Sequence, residues 1–309
     1  MEWTSADMPN LQGRKAIVTG SNSGLGFCSA MALAKAGVQV TLAVRDLSKG
    51  ATAAAAITSA GGQFVNVAHL DVADLASVRV FAQTWSQNNS DGLDLLVNNA
   101  GVMAIPARVS ADGFELQFAT NHLGHFALTG LLMPALLAKP QSRVVNVASN
   151  AHRMVKGMNF DDLMATKKYR AWNQYGQSKL ANLLFTSELQ RRLDLVGSST
   201  KAMVAHPGYS ATNLTSGSAR LRNKTMQTKV SDAVSSLFGQ DAEMGALPIL
   251  FAATAPNLAG DSYIGPNGWQ EWKGYPKLVD RSNAAKDLNA ARTLWEISED
   301  LTGVRFPID

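Results

Sequence analysis

Short runs of apolar and β-branched residues alternate with longer stretches of helical pattern along this chain. The runs that predict strands are residues 15–20, 38–44, 63–70, 93–99, 143–149 and 201–206, with a weaker one at 262–265. Helical patterns lie between the first six strands, at 25–36, 46–59, 74–89, 111–138 and 172–193. Several of the strands are apolar almost without alternation, which is typical of strands covered by helices on both faces.

This alternation predicts an α/β fold, a Rossmann-type, doubly wound parallel sheet of seven strands with helices on both faces. No internal repeat and no low-complexity linker divides the 309 residues, so residues 1–309 are expected to form a single domain.

The composition narrows the class of protein. Apolar residues make up 46% and charged residues 17%, which is typical of a folded globular protein. The single cysteine excludes an internal disulfide framework and suits a reducing compartment. A net charge of +4 without a clustered basic face gives no reason to expect a nucleic-acid partner. Residues 1–10 lack the apolar core of a signal peptide, and the longest apolar run, 126–138, contains Pro134 and falls short of the about 20 residues of a bilayer span. We therefore expect a cytoplasmic protein.

A glycine cluster follows the first predicted strand and opens the first predicted helix. Gly20, Gly24 and Gly26 allow a tight turn, and the N–H groups of the helix N-terminus favour a pyrophosphate. The expected dinucleotide loop consists of Gly20, Ser21, Asn22, Ser23, Gly24, Leu25 and Gly26, with the three polar side chains as additional donors.

The end of the second strand bears on the choice of dinucleotide. NAD sites usually place an acid about 20 residues beyond the glycines, to bind the ribose 2′-hydroxyl. Val44 stands at that point here, and Arg45 follows it. A guanidinium pairs well with a 2′-phosphate, so NADP(H) is favoured, with NAD(H) as the alternative. The adjacent Asp46 and, after the third strand, Asp74 are interpreted as helix N-caps.

Two further strand ends fit an adenosine pocket. Asp71 is placed to hydrogen-bond the adenine amino group, and Val72 to pack on the ring. Asn98, Ala100 and Gly101 would leave room for the cofactor backbone, and asparagine side chains can brace neighbouring strands. Each of the two segments also fits an ordinary turn at a strand end.

Tyr175 and Lys179 stand four residues apart, on one face of the predicted helix 172–193. A neighbouring ammonium lowers the pKa of a phenol, which would make the tyrosine an acid/base group. Taken alone, such a pair also fits a solvated helix surface.

Six motifs in order along the chain resemble the short-chain dehydrogenase/reductase family, and most of all its retinol-dehydrogenase-like branch. They are TGSNSGLG (19–26), NNAG (98–101), TNHLGHF (120–126), VVNVAS (144–149), YGQSK (175–179) and HPG (206–208). The resemblance is strong over residues 13–210, which would form the cofactor-binding and catalytic core. Residues 208–280 would form a substrate-binding lid and a C-terminal extension.

The resemblance implies hydride transfer between a nicotinamide cofactor and an apolar alcohol/carbonyl pair. Tyr175 would be the proton donor/acceptor, with Lys179 lowering its pKa and binding the nicotinamide ribose. Ser149 would hydrogen-bond the substrate carbonyl, and Asn121 would hold a water that links Lys179 to solvent. The residues expected near the nicotinamide carboxamide are Pro207, Gly208 and Thr212.

Other functions fit the residues less well. A hydrolase is disfavoured because G-x-S-x-G is absent around Ser149. A nucleotide-sugar epimerase would show a different glycine spacing, and a binding-only scaffold would usually lack the tyrosine or the lysine. The sequence shows no zinc-ligand constellation, and no metal is expected. His122 and His125 are assigned to helix packing or hydrogen bonding, and Cys28 to a small buried filler.

Several questions stay open. The insert between Ser149 and Tyr175 either borders the substrate mouth or forms a solvated lobe. Residues 215–240 fit a lid over an apolar substrate or a basic helix at a membrane surface. Residues 263–276 fit a pocket wall or a subunit contact, and the chain is either a monomer, a homodimer or a homotetramer.

Overall fold

A computed structural model describes residues 2–209 and 241–308. Its strands are β1 Lys15–Thr19, β2 Gln39–Val44, β3 Val65–His69, β4 Leu95–Asn98, β5 Arg143–Val147, β6 Lys201–Ala205, β7 Tyr263–Pro266 and β8 Pro276–Leu278. In this part of the chain they form one sheet in the order β3-β2-β1-β4-β5-β6-β7-β8. The seven predicted strands all pair in parallel, which confirms the fold class.

The eighth strand, β8, was not predicted, and it changes the expected seven-stranded sheet to eight strands. It runs antiparallel to β7 and pairs Pro276 with Pro266 at its start. Its three residues carry little apolar pattern, and it depends on the turn that folds it back onto β7.

The helices up to residue 195 follow the predicted segments, whereas the two helices beyond residue 240 were not predicted. The helices are α1 Gly24–Lys35, α2 Leu47–Ser59, α3 Leu75–Asn88, α4 Leu116–Phe118, α5 Gly124–Leu137, α6 Ala171–Leu195, α7 Ala242–Thr254 and α8 Leu288–Thr302. The predicted helix 111–138 is interrupted: α4 is one short turn, and a π-helical segment, Ala119–Leu123, joins it to α5. The proposed N-caps are confirmed, since Asp46 accepts from Lys49 N and Asp74 from Ala76 N and Ser77 N.

Two apolar layers cover the sheet. On one face the sheet packs against α1, α2 and α7, through residues such as Leu33, Ile57 and Ile249. On the other face it packs against α3, α5, α6 and α8. There Phe126 and Phe185 meet Trp295 of α8 at ring-centroid distances of 5.1 and 5.8 Å, and Phe306 completes the cluster at 4.9 Å from Phe126. These layers fix the carboxyl edge of the parallel strands, where ligands bind in open α/β sheets.

Candidate active site

The glycine loop is packed tightly against the end of β4. Gly20 has φ +65°, and a Cβ there would lie 2.9 Å from Ala100 Cα. A Cβ on Gly26 would lie 2.5 Å from Asn99 Nδ2 and 2.6 Å from Gly20 O. Ser21 turns inward, because its hydroxyl donates to Val18 O at 2.8 Å and the residue is fully buried. Ser21 is one of the three side chains expected to donate to the dinucleotide, but its hydroxyl is used in a hydrogen bond to the end of β1.

The N-terminus of α1 differs from those of α2, α3, α7 and α8. Each of these four helices is capped by side-chain hydrogen bonds of an aspartate, which is Asp46, Asp74, Asp241 and Asp287 in turn. Ser23, the N-cap of α1, makes no such bond. Since the first N–H groups of a helix have no intrahelical partner, those of α1 are available to an anion. The loop thus fits the pyrophosphate of a dinucleotide.

The adenosine side of this loop carries an exposed cation. Arg45 follows β2, its side chain is 77% exposed, and its Nη1 lies 3.8 Å from Asp71 Oδ2. Asp71 also caps its own turn, accepting from Ala73 N at 3.0 Å. Val72 is 6% exposed and belongs to the core beneath α3 and α5, and its contact with an adenine ring stays a prediction.

Asn98 faces away from the loop and into the core. Its Nδ2 donates to Thr129 Oγ1 at 3.0 Å and to Asn146 Oδ1 at 2.8 Å. Successive residues of a strand point to opposite faces, so Asn98 shares the α5 side with Leu96. Its side chain thus braces β4 against β5, as expected for an asparagine here, and the room that Asn98 would leave for the cofactor stays a prediction. Asn99, which sequence reasoning missed, is the loop-facing residue, donating from Nδ2 to Thr19 O at 2.8 Å.

Three separate segments bring the predicted catalytic residues together. Tyr175 and Lys179 lie one turn apart on α6, with Lys179 Nζ 5.7 Å from the centre of the tyrosine ring. Ser149 stands directly beyond β5 and hydrogen-bonds the Tyr175 side chain. Lys179 Nζ donates to Val147 O at 2.9 Å. Asn121 Nδ2 donates to Ser178 Oγ at 2.9 Å, beside the lysine.

Burial dominates the electrostatics of this group. It raises the pKa of Tyr175 to about 12, while the hydrogen bond from Ser149 acts in the opposite direction. It lowers the pKa of Lys179 to about 8. The lowered tyrosine pKa expected from the sequence is therefore wrong for the protein alone. The phenol holds its proton at neutral pH, which is the state a proton donor requires.

Gly101 lies between these residues and the glycine loop. A Cβ at that position would be 3.0 Å from Asn121 Oδ1 and 3.7 Å from Lys179 Nζ. The backbone of residues 100–101 thus passes directly over the candidate catalytic residues, as a cofactor path from the loop to Tyr175 requires.

The HPG segment is joined to an aromatic turn formed by residues 267–275. Buried His206 Nε2 lies 3.1 Å from Glu271 Oε2, and burial lowers the pKa of this histidine while the carboxylate opposes that shift. Gly208 has φ +68°, and a Cβ at this position would lie 2.4 Å from Trp272 O. Tyr209 N donates to the same carbonyl at 2.7 Å. Pro207 lies between these contacts, whereas Thr212 and the predicted lid 215–240 lie outside the described residues.

The insert after Ser149 was interpreted either as a border of the substrate mouth or as a solvated lobe, and different residues of it fit each interpretation. Trp172 is 48% exposed and packs edge-on to Tyr175 at 6.1 Å, so it borders the site. Lys156, Lys167 and Lys168 are exposed to solvent. Tyr169 is structural, since its hydroxyl donates to Ile105 O at 2.7 Å.

Two groups that could suggest other chemistry are accounted for. His122 hydrogen-bonds Ser298 and His125 hydrogen-bonds Thr19, which confirms their assignment to packing and hydrogen bonding. Cys28 is half-buried rather than fully buried, and burial raises the pKa of its thiol to about 11.

Within the described ranges 2–209 and 241–308, no three His, Cys, Asp or Glu side chains are grouped so as to hold a metal ion. None of the helices in these ranges combines the length and the apolar character that crossing a membrane requires.

Comparison with known proteins agrees with this geometry. A family model described as short chain dehydrogenase matches residues 14–222, so the chain belongs to that family. It is an oxidoreductase acting on CH–OH groups with NAD(P) as acceptor.

Individual relatives are similar over most of their length. Human retinol dehydrogenase 13 is 38% identical over 96% of this chain and 87% of its own. Mouse retinol dehydrogenase 14 is 37% identical over 95% of this chain and 87% of its own. A crystal structure of an uncharacterized protein from Mycobacterium Paratuberculosis matches with a TM-score of 0.81 and 45% identity, over 99% of this chain and 100% of that one. RhlG from Pseudomonas aeruginosa, solved as an NADP active-site complex, has a TM-score of 0.63 and 28% identity over 82% of this chain and 94% of its own.

Proposed function

We propose that this protein is an NADP(H)-dependent oxidoreductase that interconverts an apolar alcohol and its aldehyde or ketone, with Tyr175 as the proton donor/acceptor. The observation that carries the proposal is the convergence of Asn121, Ser149, Tyr175 and Lys179 beside an uncapped helix N-terminus.

The chain's own residues would handle the oxygen and its proton. The nicotinamide supplies hydride chemistry when bound. In the reducing direction, the Tyr175 hydroxyl gives its proton to the substrate oxygen, while Ser149 donates a hydrogen bond to that oxygen and stabilises the developing negative charge. Lys179 binds the ribose, stabilises the phenolate that remains and returns a proton to it. Asn121 holds the water through which the neutral Lys179 regains its proton from solvent.

The test is turnover by the purified protein with NADPH or NADH and a panel of retinal, long-chain aldehydes and ketosteroids. We expect NADPH consumption, which Tyr175→Phe should lower by at least about a hundredfold because general acid catalysis is lost. Tight NADPH binding without turnover of any substrate would favour a binding-only protein of the same fold.

Arg45 supports the choice of NADP(H). Within the described residues, its exposed guanidinium pairs with one carboxylate at the long distance of 3.8 Å, which leaves it available to a 2′-phosphate. Charged hydrogen bonds contribute about 1.5–3 kcal/mol, so Arg45→Ala should raise the KM for NADPH about tenfold to a hundredfold and leave that for NADH nearly unchanged. Lys49→Ala is the matched control, since Lys49 is also exposed and paired with an acid, Asp46. Faster use of NADH by the wild type would contradict the choice.

Exposed aromatic side chains support an apolar substrate, and we include retinoids in that class because of the relatives' names. Trp172 borders Tyr175, and Trp269 and Trp272 are 71% and 46% exposed on the aromatic turn. This turn reaches the site, because Asn150 beside Ser149 contacts Gln270 O at 3.5 Å. Trp172→Ala should therefore raise the KM for retinal more than that for butanal.

The remaining expectations stay predictions. They are the substrate-binding role of residues 208–280, a cytoplasmic location with or without peripheral membrane contact, and assembly into dimers or tetramers.

A further inference from the structure

Thr19 and His125 connect the glycine loop to the π-helical segment. Thr19 Oγ1 accepts the backbone N–H groups of Asn99 and Ala100, both at 2.9 Å. The same oxygen lies 2.9 Å from His125 Nε2 and 3.4 Å from Val97 O. A hydroxyl has two lone pairs and one proton, and two N–H donors occupy the lone pairs. The proton therefore goes to the nearer acceptor, His125 Nε2.

This direction fixes the tautomer of His125. If Nε2 accepts a hydrogen bond, the neutral ring carries its proton on Nδ1. Nδ1 lies 3.3 Å from the main-chain oxygen of Asn121 and donates to it. The ring is 2% exposed, and burial lowers its pKa to about 4, so it is neutral over the physiological range.

The main-chain carbonyl of Asn121 is the part of that residue left for a water molecule. Its side chain is already used, since Oδ1 accepts from Val102 N at 2.9 Å while Nδ2 donates to Val102 O and Ser178 Oγ. The carbonyl belongs to the π-helical segment Ala119–Leu123, a form of helix that is frequent at functional sites. Within residues 2–209 and 241–308, His125 is the side chain that donates to this carbonyl.

We propose that His125 is a positioning residue, whose Nδ1–H tautomer ties the backbone of the dinucleotide loop, through Thr19, to the carbonyl of Asn121. The inference rests on the proposed function, because that carbonyl would hold the water of the proton relay to Lys179. The imidazole of His125 thus connects the ends of β1 and β4, which lie under the cofactor, to the Asn121 carbonyl that would hold the relay water.

The tautomer is tested directly by long-range proton–nitrogen NMR on the full chain labelled with ¹⁵N-histidine. The chain has five histidines, and the His125 signals are identified by their loss in His125→Asn. We expect a protonated Nδ1 and an unprotonated Nε2. A protonated Nε2 would overturn the proposal whatever the enzyme's activity.

Three variants separate the two arms of the bridge. His125→Asn keeps a donor near the Nδ1 position, His125→Gln keeps an acceptor near the Nε2 position, and His125→Leu keeps neither. The measurements are the Kd for NADPH and kcat with NADPH and all-trans-retinal. Loss of one buried hydrogen bond corresponds to about fivefold to tenfold. We expect the asparagine variant to lose that factor mainly in Kd, the glutamine variant mainly in kcat, and the leucine variant in both.

Equal Kd and kcat values for the asparagine and glutamine variants would overturn the proposal, as would wild-type values for the leucine variant. If the wild-type protein reduces no substrate, the proposed function fails. The tautomer and the NADPH Kd values then decide the role of His125 alone, and equal Kd values in wild type and variants overturn it.

Discussion

Replacing Lys179 by methionine is expected to stabilise the protein while abolishing turnover. The ammonium is 5% exposed, and burial lowers its pKa from 10.5 to about 8. At about 1.4 kcal/mol per pH unit, burying the protonated form costs about 3 kcal/mol at neutral pH. Methionine keeps an unbranched side chain without the charge. It gives up the charged hydrogen bond to Val147 O, which contributes about 1.5–3 kcal/mol.

The net expectation is a gain of about 0.5–2 kcal/mol at pH 7 for the protein without cofactor, which raises Tm by about 1–3 °C in a chain of this length. The sign of its pH dependence follows from proton linkage. Below pH 8, Lys179 is protonated in both states. Between pH 8 and 10.5 the unfolded state binds more protons, so wild-type stability rises relative to that of Lys179→Met and the gap closes.

Thermal unfolding across this pH range, together with NADPH turnover, checks both parts. Lys201→Met is the matched control, since Lys201 also donates to one carbonyl, Leu258 O, but is only half-buried. The control should lose stability slightly. A Lys179→Met protein that melts several degrees below wild type at pH 7, or whose advantage persists unchanged above pH 10, would refute the reasoning.

Three further substitutions test the glycine loop, the aromatic core around Trp295 and the role of Asn98 in bracing β4 against β5. Gly26→Ala should weaken NADPH binding at least about tenfold, because the new Cβ would lie 2.6 Å from Gly20 O. Gly157→Ala is the control, since Gly157 has open space around it, and this variant should bind NADPH normally in the same titration. Trp295→Ala should lower the free energy of unfolding in urea by about 3–5 kcal/mol, against less than about 0.5 kcal/mol for Val80→Ala at an exposed site. Asn98→Ala should lower the unfolding free energy by about 1–3 kcal/mol, because Thr129 and Asn146 lose a buried partner, and leave the Kd for NADPH unchanged. A Kd that rose tenfold would return Asn98 to the cofactor site.

The sequence predicted the order of strands and helices because buried parallel strands and helices differ in length and pattern. It also located the glycine loop, Arg45 and the Tyr175–Lys179 pair, whose spacing on a helix is local geometry. The bracing role of the Asn98 side chain has a local signal as well, since Asn98 stands two residues after Leu96 and must face the same layer.

Other features have no local signal. The π-helical segment Ala119–Leu123 and the short strand β8 depend on packing against distant residues. The raised pKa of Tyr175 depends on how completely the folded chain excludes water, which a four-residue spacing does not encode. The link between Thr19 and His125 joins positions 106 residues apart.

The position of α8 has a consequence for biosynthesis. Phe126 and Phe185 are buried in part by Trp295 and Phe306, which are made 110 or more residues after Phe185. At about 5–20 residues per second, a ribosome needs on the order of 5–20 s to cover that stretch. We expect the nascent chain to present an uncovered aromatic surface on α5 and α6 during this interval, until α8 and Phe306 have been made.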